Sequence, residues 1–131
     1  MQNMSGGKTA LGLDANVGAL ICYLGNIICA LGLIYSIIVL VTDKTNKLTR
    51  FHAFQSILLS AVGVIVGMVV GMIAGVGAVG NSGILAGLGG LIYVVFVLAM
   101  LAAVIFCCIK AFQGQIFKLP VIGDLADKWS N

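Results

Sequence analysis

Two long runs of apolar residues dominate the sequence, and neither contains Asp, Glu, Lys or Arg. The first run lies between Asp14 and Asp43, and the second lies between Arg50 and Lys110. Both are longer than the roughly 20 residues that a helix needs to cross the hydrocarbon core of a bilayer. This pattern predicts transmembrane helices rather than the half-polar elements of a soluble protein.

The second apolar run is too long to form one transmembrane helix. A single helix over residues 51–109 would extend about 88 Å, nearly three times the thickness of a hydrocarbon core. The turn-forming sequence Gly-Asn-Ser-Gly at residues 80–83 lies near its middle and predicts a tight turn there. We therefore predict three transmembrane helices, over residues 15–41, 51–79 and 84–109.

The segments outside the apolar runs are polar. Residues 1–13 contain several polar residues and glycines, which predicts a mobile N-terminus. In the tail, residues 110–131, Pro120 interrupts the helix. Beyond it, apolar residues recur at helical spacing up to Trp129, which we predict to be an interfacial anchor. The predicted fold class is an all-α integral membrane protein, a single domain of three transmembrane helices with a short C-terminal interfacial segment.

Composition supports the membrane assignment and argues against a nucleic-acid partner. Hydrophobic residues make up 61% of the chain and charged residues only 8%, whereas soluble proteins contain about 25% charged residues. The net charge of +3 comes from scattered basic residues that form no dense patch. The expected partners are therefore the lipid bilayer and other membrane-embedded helices, and no nucleic acid.

The basic residues also predict an orientation. Three spans would put the chain ends on opposite faces, with Lys8 alone on one of them. The positive-inside rule assigns the more basic face to the cytoplasm. We therefore predict a protein of the cytoplasmic (inner) membrane with its N-terminus out and its C-terminus in. The basic residues of the predicted cytoplasmic face are Lys44, Lys47, Arg50, Lys110, Lys118 and Lys128.

Small residues recur at helical spacing in the first two predicted helices. Glycines at such spacing let helix backbones approach closely in lipid, where no hydrophobic drive brings helices together. One interpretation of this glycine-zipper pattern is internal packing of the helices. The other is self-association, or docking to a larger complex. The predicted helix-packing glycines are Gly18, Gly25 and Gly32 in the first helix and Gly63, Gly67, Gly71 and Gly75 in the second.

Polar residues gather at the predicted cytoplasmic ends of the helices. Polar groups at this level of a membrane either pair, hydrate or reach toward the headgroups. A structural interpretation is that they mark helix ends, and the functional alternative is a site that binds a small ligand. The candidate cluster consists of Asp43, Arg50, His52, Gln55, Lys110 and Gln113.

The sequence gives no sign of catalytic or metal chemistry. The only histidine lacks a persuasive nucleophile or second acid, and no Asp or Glu lies inside a predicted span. None of the cysteines forms a C-x-x-C motif, so they are interpreted as small packing residues. We expect no enzyme activity, no cofactor and no metal site. The cysteines are Cys22, Cys29, Cys107 and Cys108.

Four short motifs resemble a known family: Leu-Asp-Ala-Asn-Val at 13–17, Arg-Phe-His-Ala-Phe-Gln-Ser at 50–56, Ala-Phe-Gln-Gly at 111–114 and Lys-Leu-Pro-Val-Ile-Gly at 118–123. The chain resembles small, uncharacterised prokaryotic membrane proteins related to the twenty-kilodalton import component of the chloroplast Tic translocon. The resemblance covers most of the chain. It implies a polytopic helical protein of the inner membrane with a distant link to protein import, and it implies no activity.

The predicted function is that of a non-enzymatic accessory or assembly partner of a larger membrane complex, with protein translocation as a candidate pathway. One alternative is a holin-like or other homo-oligomeric pore, because short glycine-rich helices can line a channel with backbone groups. Another alternative is a binder or carrier of a small ligand at the cytoplasmic mouth.

Overall fold

The computed structural model describes residues 7–27 and 31–130, and these ranges contain five α-helices. They divide into two compact units. The polar unit comprises Met1–Ser60 and Val104–Asn131, and the apolar unit comprises Ala61–Ala103. The helices are α1 (Ala15–Ile27), α2 (Leu31–Thr42), α3 (Lys47–Val79), α4 (Gly83–Phe112) and α5 (Ile122–Ser130).

Helices α3 and α4 are long and apolar enough to cross a membrane. With 33 and 30 residues, they extend about 50 and 45 Å at 1.5 Å per residue. A turn separates them where the sequence predicts it. There Asn81 adopts a left-handed φ of 55°, and the Ser82 hydroxyl caps α4 by accepting a hydrogen bond from Leu85 N at 3.3 Å.

The apolar unit is held together by close contact of backbones. A Cβ atom at Gly77 would lie 2.5 Å from Ala86 N. A Cβ atom at Gly89 would lie 2.9 Å from the Cα of Ala74. Real Cβ atoms do not approach so closely, so α3 and α4 meet at these two positions because glycine has no side chain.

The region predicted as one helix over residues 15–41 contains two helices, α1 and α2. They have 13 and 12 residues, or about 20 and 18 Å, and each is shorter than a hydrocarbon core of roughly 30 Å. The two helices pack against each other, and Gly25 faces the backbone of Gly32 with no room for a side chain. This fold-back does not agree with the predicted first span, and the three-span count is not confirmed.

The start of α1 lies beside the start of α3. Thr49 Oγ1, in the first turn of α3, donates a hydrogen bond to the Ala15 carbonyl at 3.3 Å. Asn16 Nδ2 donates one to the carbonyl of Phe112, the last residue of α4, at 3.0 Å. The α1–α2 pair therefore returns to the end of the polar unit where it starts, and the predicted placement of the chain ends on opposite membrane faces is not confirmed.

Residues 7–13, predicted to be mobile, are tied to this unit. Ala10 N donates a hydrogen bond to Asp43 Oδ2 at 3.2 Å, and Thr9 N donates one to the Leu13 carbonyl at 2.7 Å. Residues 1–6 of the predicted mobile segment lie outside the described residues.

Charge is confined to one of the two units. The seven basic and four acidic residues of the sequence all fall in the polar unit, and residues 61–103 contain no Asp, Glu, Lys, Arg or His. Every candidate polar residue predicted from the sequence therefore belongs to the polar unit.

Candidate functional site

Three buried side chains form a polar network inside the polar unit: Tyr23 of α1 and His52 and Gln55 of α3. The Tyr23 hydroxyl lies 2.9 Å from His52 Nδ1, and Gln55 Nε2 donates to the same hydroxyl oxygen at 3.0 Å. None of the three side chains is accessible to solvent. Buried polar groups need partners, because an unsatisfied one destabilises the fold.

The hydrogen bonds fix the position of each proton. His52 Nε2 lies 3.0 Å from the Gln115 carbonyl oxygen, which can only accept, so this nitrogen carries a proton. The Tyr23 oxygen accepts from Gln55, and its own O–H is placed to donate to His52 Nδ1. In this arrangement His52 is a neutral imidazole with both ring nitrogens hydrogen-bonded.

The network attaches the segment that connects α4 to α5. Gln55 Nε2 also donates to the Phe117 carbonyl at 3.1 Å, and Gln55 Oε1 accepts from Leu119 N at 3.3 Å. With the bond from His52 to the Gln115 carbonyl, two neighbouring turns of α3 bind backbone groups along residues 115–119. The network is therefore a structural attachment whose polar groups are used internally.

Arg50 lies at the same end of α3 and binds the ends of two other helices. Its Nη1 donates to the carbonyls of Leu40 and Asp43 at 3.3 and 3.0 Å, and its Nε donates to the Ser130 carbonyl at 3.4 Å. A guanidinium suits this position because the last carbonyls of a helix lack partners and carry partial negative charge. Its Cζ also lies 5.8 Å from the centre of the Phe54 ring.

The remaining candidate polar residues lie in separate places. Buried Asp43 accepts from Ala10 N at 3.2 Å and from Asn46 N at 3.1 Å, and so closes the loop between α2 and α3. Lys110 Nζ donates to Gln115 Oε1 at 3.2 Å. Gln113 is exposed just beyond α4.

The structure does not bring the six predicted polar residues into one open mouth. His52 and Gln55 join the polar network, Arg50 and Asp43 organise the end of α2, and Lys110 contacts the Gln115 side chain. A ligand-binding role for these residues stays a prediction.

Sequence reasoning missed Tyr23 and the backbone groups of residues 115–119. Tyr23 follows Cys22, a member of the small-residue pattern of the first helix, and a tyrosine among such residues is the one signal that could have identified it. The carbonyls carry no signal in the sequence, because every residue has one.

The predicted glycine seam is only partly packed in the structure. In the polar unit, Gly18 faces Thr9, Thr49 and Tyr35. In the apolar unit, a Cβ atom at Gly63 would lie 2.9 Å from Met100 Cε, and one at Gly67 would lie 3.9 Å from Phe96 Cε1.

At the far end of the stripe, no atom lies within 4 Å of a Cβ position at Gly71 or Gly75. Internal packing by Gly71 and Gly75 is therefore wrong for the described chain. The close approach of the backbones uses Gly77 and Gly89, because these glycines, unlike Gly71 and Gly75, face the other helix of the hairpin.

Helix α5 carries apolar residues on its exposed side. Val121, Leu125 and Trp129 are spaced four residues apart and are exposed, whereas Gly123 and Ala126 are buried. The Trp129 ring lies 6.1 Å from that of Phe54 at an interplanar angle of 65°. This arrangement suits the predicted interfacial role of Trp129.

Ion pairs hold α5 to the rest of the polar unit. Lys118 Nζ lies 2.7 Å from Asp127 Oδ2, and Lys47 Nζ lies 3.3 Å from Asp127 Oδ1. The hydrogen bond from Lys118, followed by that from Lys47, lowers the pKa of Asp127 below its usual value. The hydrogen bond to Asp127 in turn raises the pKa of Lys118. These groups lie near solvent, so each pair contributes little to stability.

The cysteines in the described residues are free and buried: Cys22, Cys107 and Cys108. Cys29 lies outside the described residues. Within residues 7–27 and 31–130, no group of three or more His, Cys, Asp or Glu side chains is arranged to hold a metal ion.

Comparison with known proteins places the chain among membrane proteins. A family model described as the magnetosome magnetite crystal formation protein family matches residues 14–126. The chain is 37% identical to the UPF0132 membrane protein MJ1443 of Methanocaldococcus jannaschii over 124 residues, which cover 95% of this chain and 96% of that protein. No solved structure matches.

Two further relatives are similar over most of the chain. The UPF0132 membrane protein MJ1527 of the same organism is 29% identical over 124 residues, covering 92% of this chain and 73% of that protein. A UPF0132 membrane protein of Archaeoglobus fulgidus is 29% identical over 116 residues, covering 88% of this chain and 95% of that protein. The prediction of a membrane protein from an uncharacterised family is confirmed. None of these descriptions mentions the Tic translocon, so that resemblance is not supported.

Proposed function

This chain belongs to the magnetosome magnetite crystal formation protein family, and from that premise we propose that it is a non-enzymatic membrane protein that assembles with a larger membrane complex. The proposal concerns the role of the chain within the bilayer. The family description names magnetite crystal formation, and this is one of the pathways in which such a complex could work.

The observation that carries the proposal is the open part of the glycine stripe on α3. Gly71 and Gly75 lie one helical turn apart with free space at both Cβ positions. The neighbouring side chains of Met68 and Met72 are 62% and 60% exposed. A helix of a partner could approach the α3 backbone here, and flexible methionine side chains could adapt to its surface.

The polar network supports assembly over ligand binding. His52 and Gln55 are the best candidates for binding a small molecule, but both are buried and use their polar atoms within the chain. A ligand would have to displace several of these bonds to reach them, which opposes binding.

We further propose that the charged end of the polar unit faces the cytoplasm. With Lys8 on the same side as the loop after α2, all seven basic residues of the sequence belong to one unit, and none lies near the turn between α3 and α4. The positive-inside rule then places both the start of the described chain and its C-terminal helix inside.

The test is purification from the native membrane in mild detergent or nanodiscs, followed by native mass measurement. The wild-type chain should migrate with stoichiometric larger subunits. A Gly71→Ile, Gly75→Ile double variant should lose them, because the new side chains fill the open face. Its thermal stability should stay close to that of the wild type.

The matched control is Val69→Phe, which adds bulk at an exposed position elsewhere on the same helix and should retain the partner. A wild-type chain that migrates as a monomer would contradict the proposal, and a homo-oligomer alone would favour the pore. The identity of the co-purifying subunits would separate a translocation pathway, which the Tic resemblance implies, from crystal formation, which the family description names.

A further inference from the structure

We infer that the polar network is a proton-controlled attachment: protonation of His52 releases residues 115–119, and with them α5, from the body of the polar unit. The inference requires no partner and stands apart from the proposed function. It rests on the hydrogen bonds of three buried side chains, Tyr23, His52 and Gln55, in which each polar atom acts as a donor or as an acceptor.

The neutral imidazole satisfies every group around it. Nε2–H donates to the Gln115 carbonyl, Nδ1 accepts from the Tyr23 hydroxyl, and the Tyr23 oxygen accepts from Gln55. Each donor in this series of hydrogen bonds faces an acceptor, so the three side chains and the carbonyl have one consistent arrangement of protons.

A second proton on His52 breaks that arrangement. Nδ1–H would then face the Tyr23 O–H donor, and two donors cannot share one hydrogen bond. The Tyr23 oxygen could accept from the ring only if its own proton turned toward another acceptor. The side chain of Cys107 also interacts with the Tyr23 hydroxyl and lies 3.6 Å from Gln55 Nε2, but its sulfur is a weak acceptor.

The surroundings also offer no charge to balance an imidazolium. From α1 the titratable side chain facing the ring is Tyr23, and from α4 it is Cys107, through Gln55. The connection between α4 and α5 contributes the Gln115 carbonyl, which faces the ring. The side chain of Gln115 accepts a hydrogen bond from the Lys110 ammonium at 3.2 Å.

Within the described residues, every ion pair involves Asp124 or Asp127, so no carboxylate is paired with His52. On the same helix, the Arg50 guanidinium binds carbonyls of other segments. A buried, unpaired cation is strongly disfavoured. Protonation therefore favours a state in which the ring reaches water and the bond to Gln115 is lost.

Loss of the network affects α5 because the bound segment lies directly before it in the sequence. The ring of His52 binds the Gln115 carbonyl. Gln55 donates to Tyr23 and also binds backbone groups of Phe117 and Leu119. Helix α5 begins three residues later, at Ile122. Loss of these bonds leaves α5 attached by its ion pairs, by Arg50, by the contact of Trp129 with Phe54 and by the packing of Ala126. The ion pairs near solvent are weaker than a buried network.

The sequence provides both reporters for the test. His52 is the only histidine and Trp129 the only tryptophan. In nanodiscs, the His52 ring resonances and acrylamide quenching of Trp129 would be followed on one sample from about pH 8 to about pH 4. Because Trp129 is 48% exposed when attached, release should raise its quenching constant by about twofold. The change should have the same midpoint as the ring resonances.

The decisive comparison is with His52→Gln, which keeps a donor and an acceptor but cannot take up a proton. Its Trp129 quenching should be independent of pH over the same range. The ion pairs of Asp127 do not interfere with this comparison, because hydrogen bonds from Lys118 and Lys47 lower its pKa and the titration ends at about pH 4. If His52→Gln shows the wild-type transition, or if the ring titrates with no change at Trp129, the inference is wrong. Should His52→Gln fail to fold, the wild-type chain still tests the inference, because the pH midpoint of the His52 ring resonances must equal that of Trp129 quenching.

Discussion

The two units of this protein are stabilised by opposite means. In the polar unit, side chains such as Gln55 and Arg50 bind backbone carbonyls of distant segments, and the network is buried. In the apolar unit, residues 61–103 contain no Asp, Glu, Lys, Arg or His, and the two helices meet where glycines allow the backbones to touch. One unit depends on matching donors with acceptors, and the other depends on the absence of side chains.

This difference predicts which substitutions each unit tolerates. A hydrogen-bond network loses stability when a polar group is removed, because its former partners stay buried without one. A glycine contact loses stability when an atom is added, because the backbone behind it cannot move aside. Removal of a polar group should therefore destabilise the polar unit, whereas addition of a methyl group at a glycine contact should destabilise the apolar unit.

The largest effect is expected for Gln55→Leu. The substitution leaves the Phe117 carbonyl and Leu119 N without their side-chain partner and removes a donor to Tyr23. We expect a loss of about 2–4 kcal/mol in unfolding free energy. The measurement is unfolding in a fixed detergent mixture. The control is Gln113→Leu at an exposed position, which should stay within about 0.5 kcal/mol of the wild type. Equal effects of the two substitutions would show that the network is not a stabilising element.

The next effect separates two glycines of α3. Gly77→Ala should destabilise the hairpin by about 1–3 kcal/mol, because the added Cβ would lie 2.5 Å from Ala86 N. Gly75→Ala has open space and should stabilise the helix by about 0.5–1 kcal/mol, since alanine is the better helix former. Both are measured by unfolding in the same detergent. A reversed order would mean that the two helices do not meet at Gly77.

The smallest effect concerns Asp127 and pH. Its folded pKa is below the unfolded value of about 3.9 because Lys118 and Lys47 favour the carboxylate. The stabilisation is therefore fully present above that unfolded value and is lost as the pH falls through the lower folded pKa. Trp129 fluorescence should show loosening of α5 in this acid range, and Asp127→Asn should already be loosened at neutral pH. A wild type and variant with the same acid profile would show that these ion pairs do not hold α5.

The apolar helices were the most predictable part of the fold. The long uncharged run from residue 51 to 109 predicts long apolar helices, and Gly-Asn-Ser-Gly marks a turn that the structure also has. The break between α1 and α2 was not predictable in this way. It lies in a mostly apolar run without proline or charge, and Gly25 and Gly32 make a contact there that exists only in the folded chain.

The site was predictable in its residue types but not in its connections. Polarity identified His52 and Gln55 as candidate polar residues at the helix ends, and both are buried in the structure. Their partners are a tyrosine from another helix and carbonyls from residues 115–119. Such partners depend on the tertiary arrangement, and a carbonyl looks the same at every position in a sequence. The open state of Gly71 and Gly75 was missed for the same reason, since a periodic stripe does not reveal how much of its length the neighbouring helix covers.

The confinement of all acidic and basic residues to the polar unit has a consequence for how the chain enters its membrane. The turn between α3 and α4 offers only glycine, Asn81 and Ser82 for transfer across the hydrocarbon. Moving one elementary charge through a membrane potential of 100 mV involves about 2.3 kcal/mol, and this hairpin moves none. In the proposed orientation, with the charged helix ends on the cytoplasmic side, its insertion should therefore proceed equally well in energised and de-energised membranes.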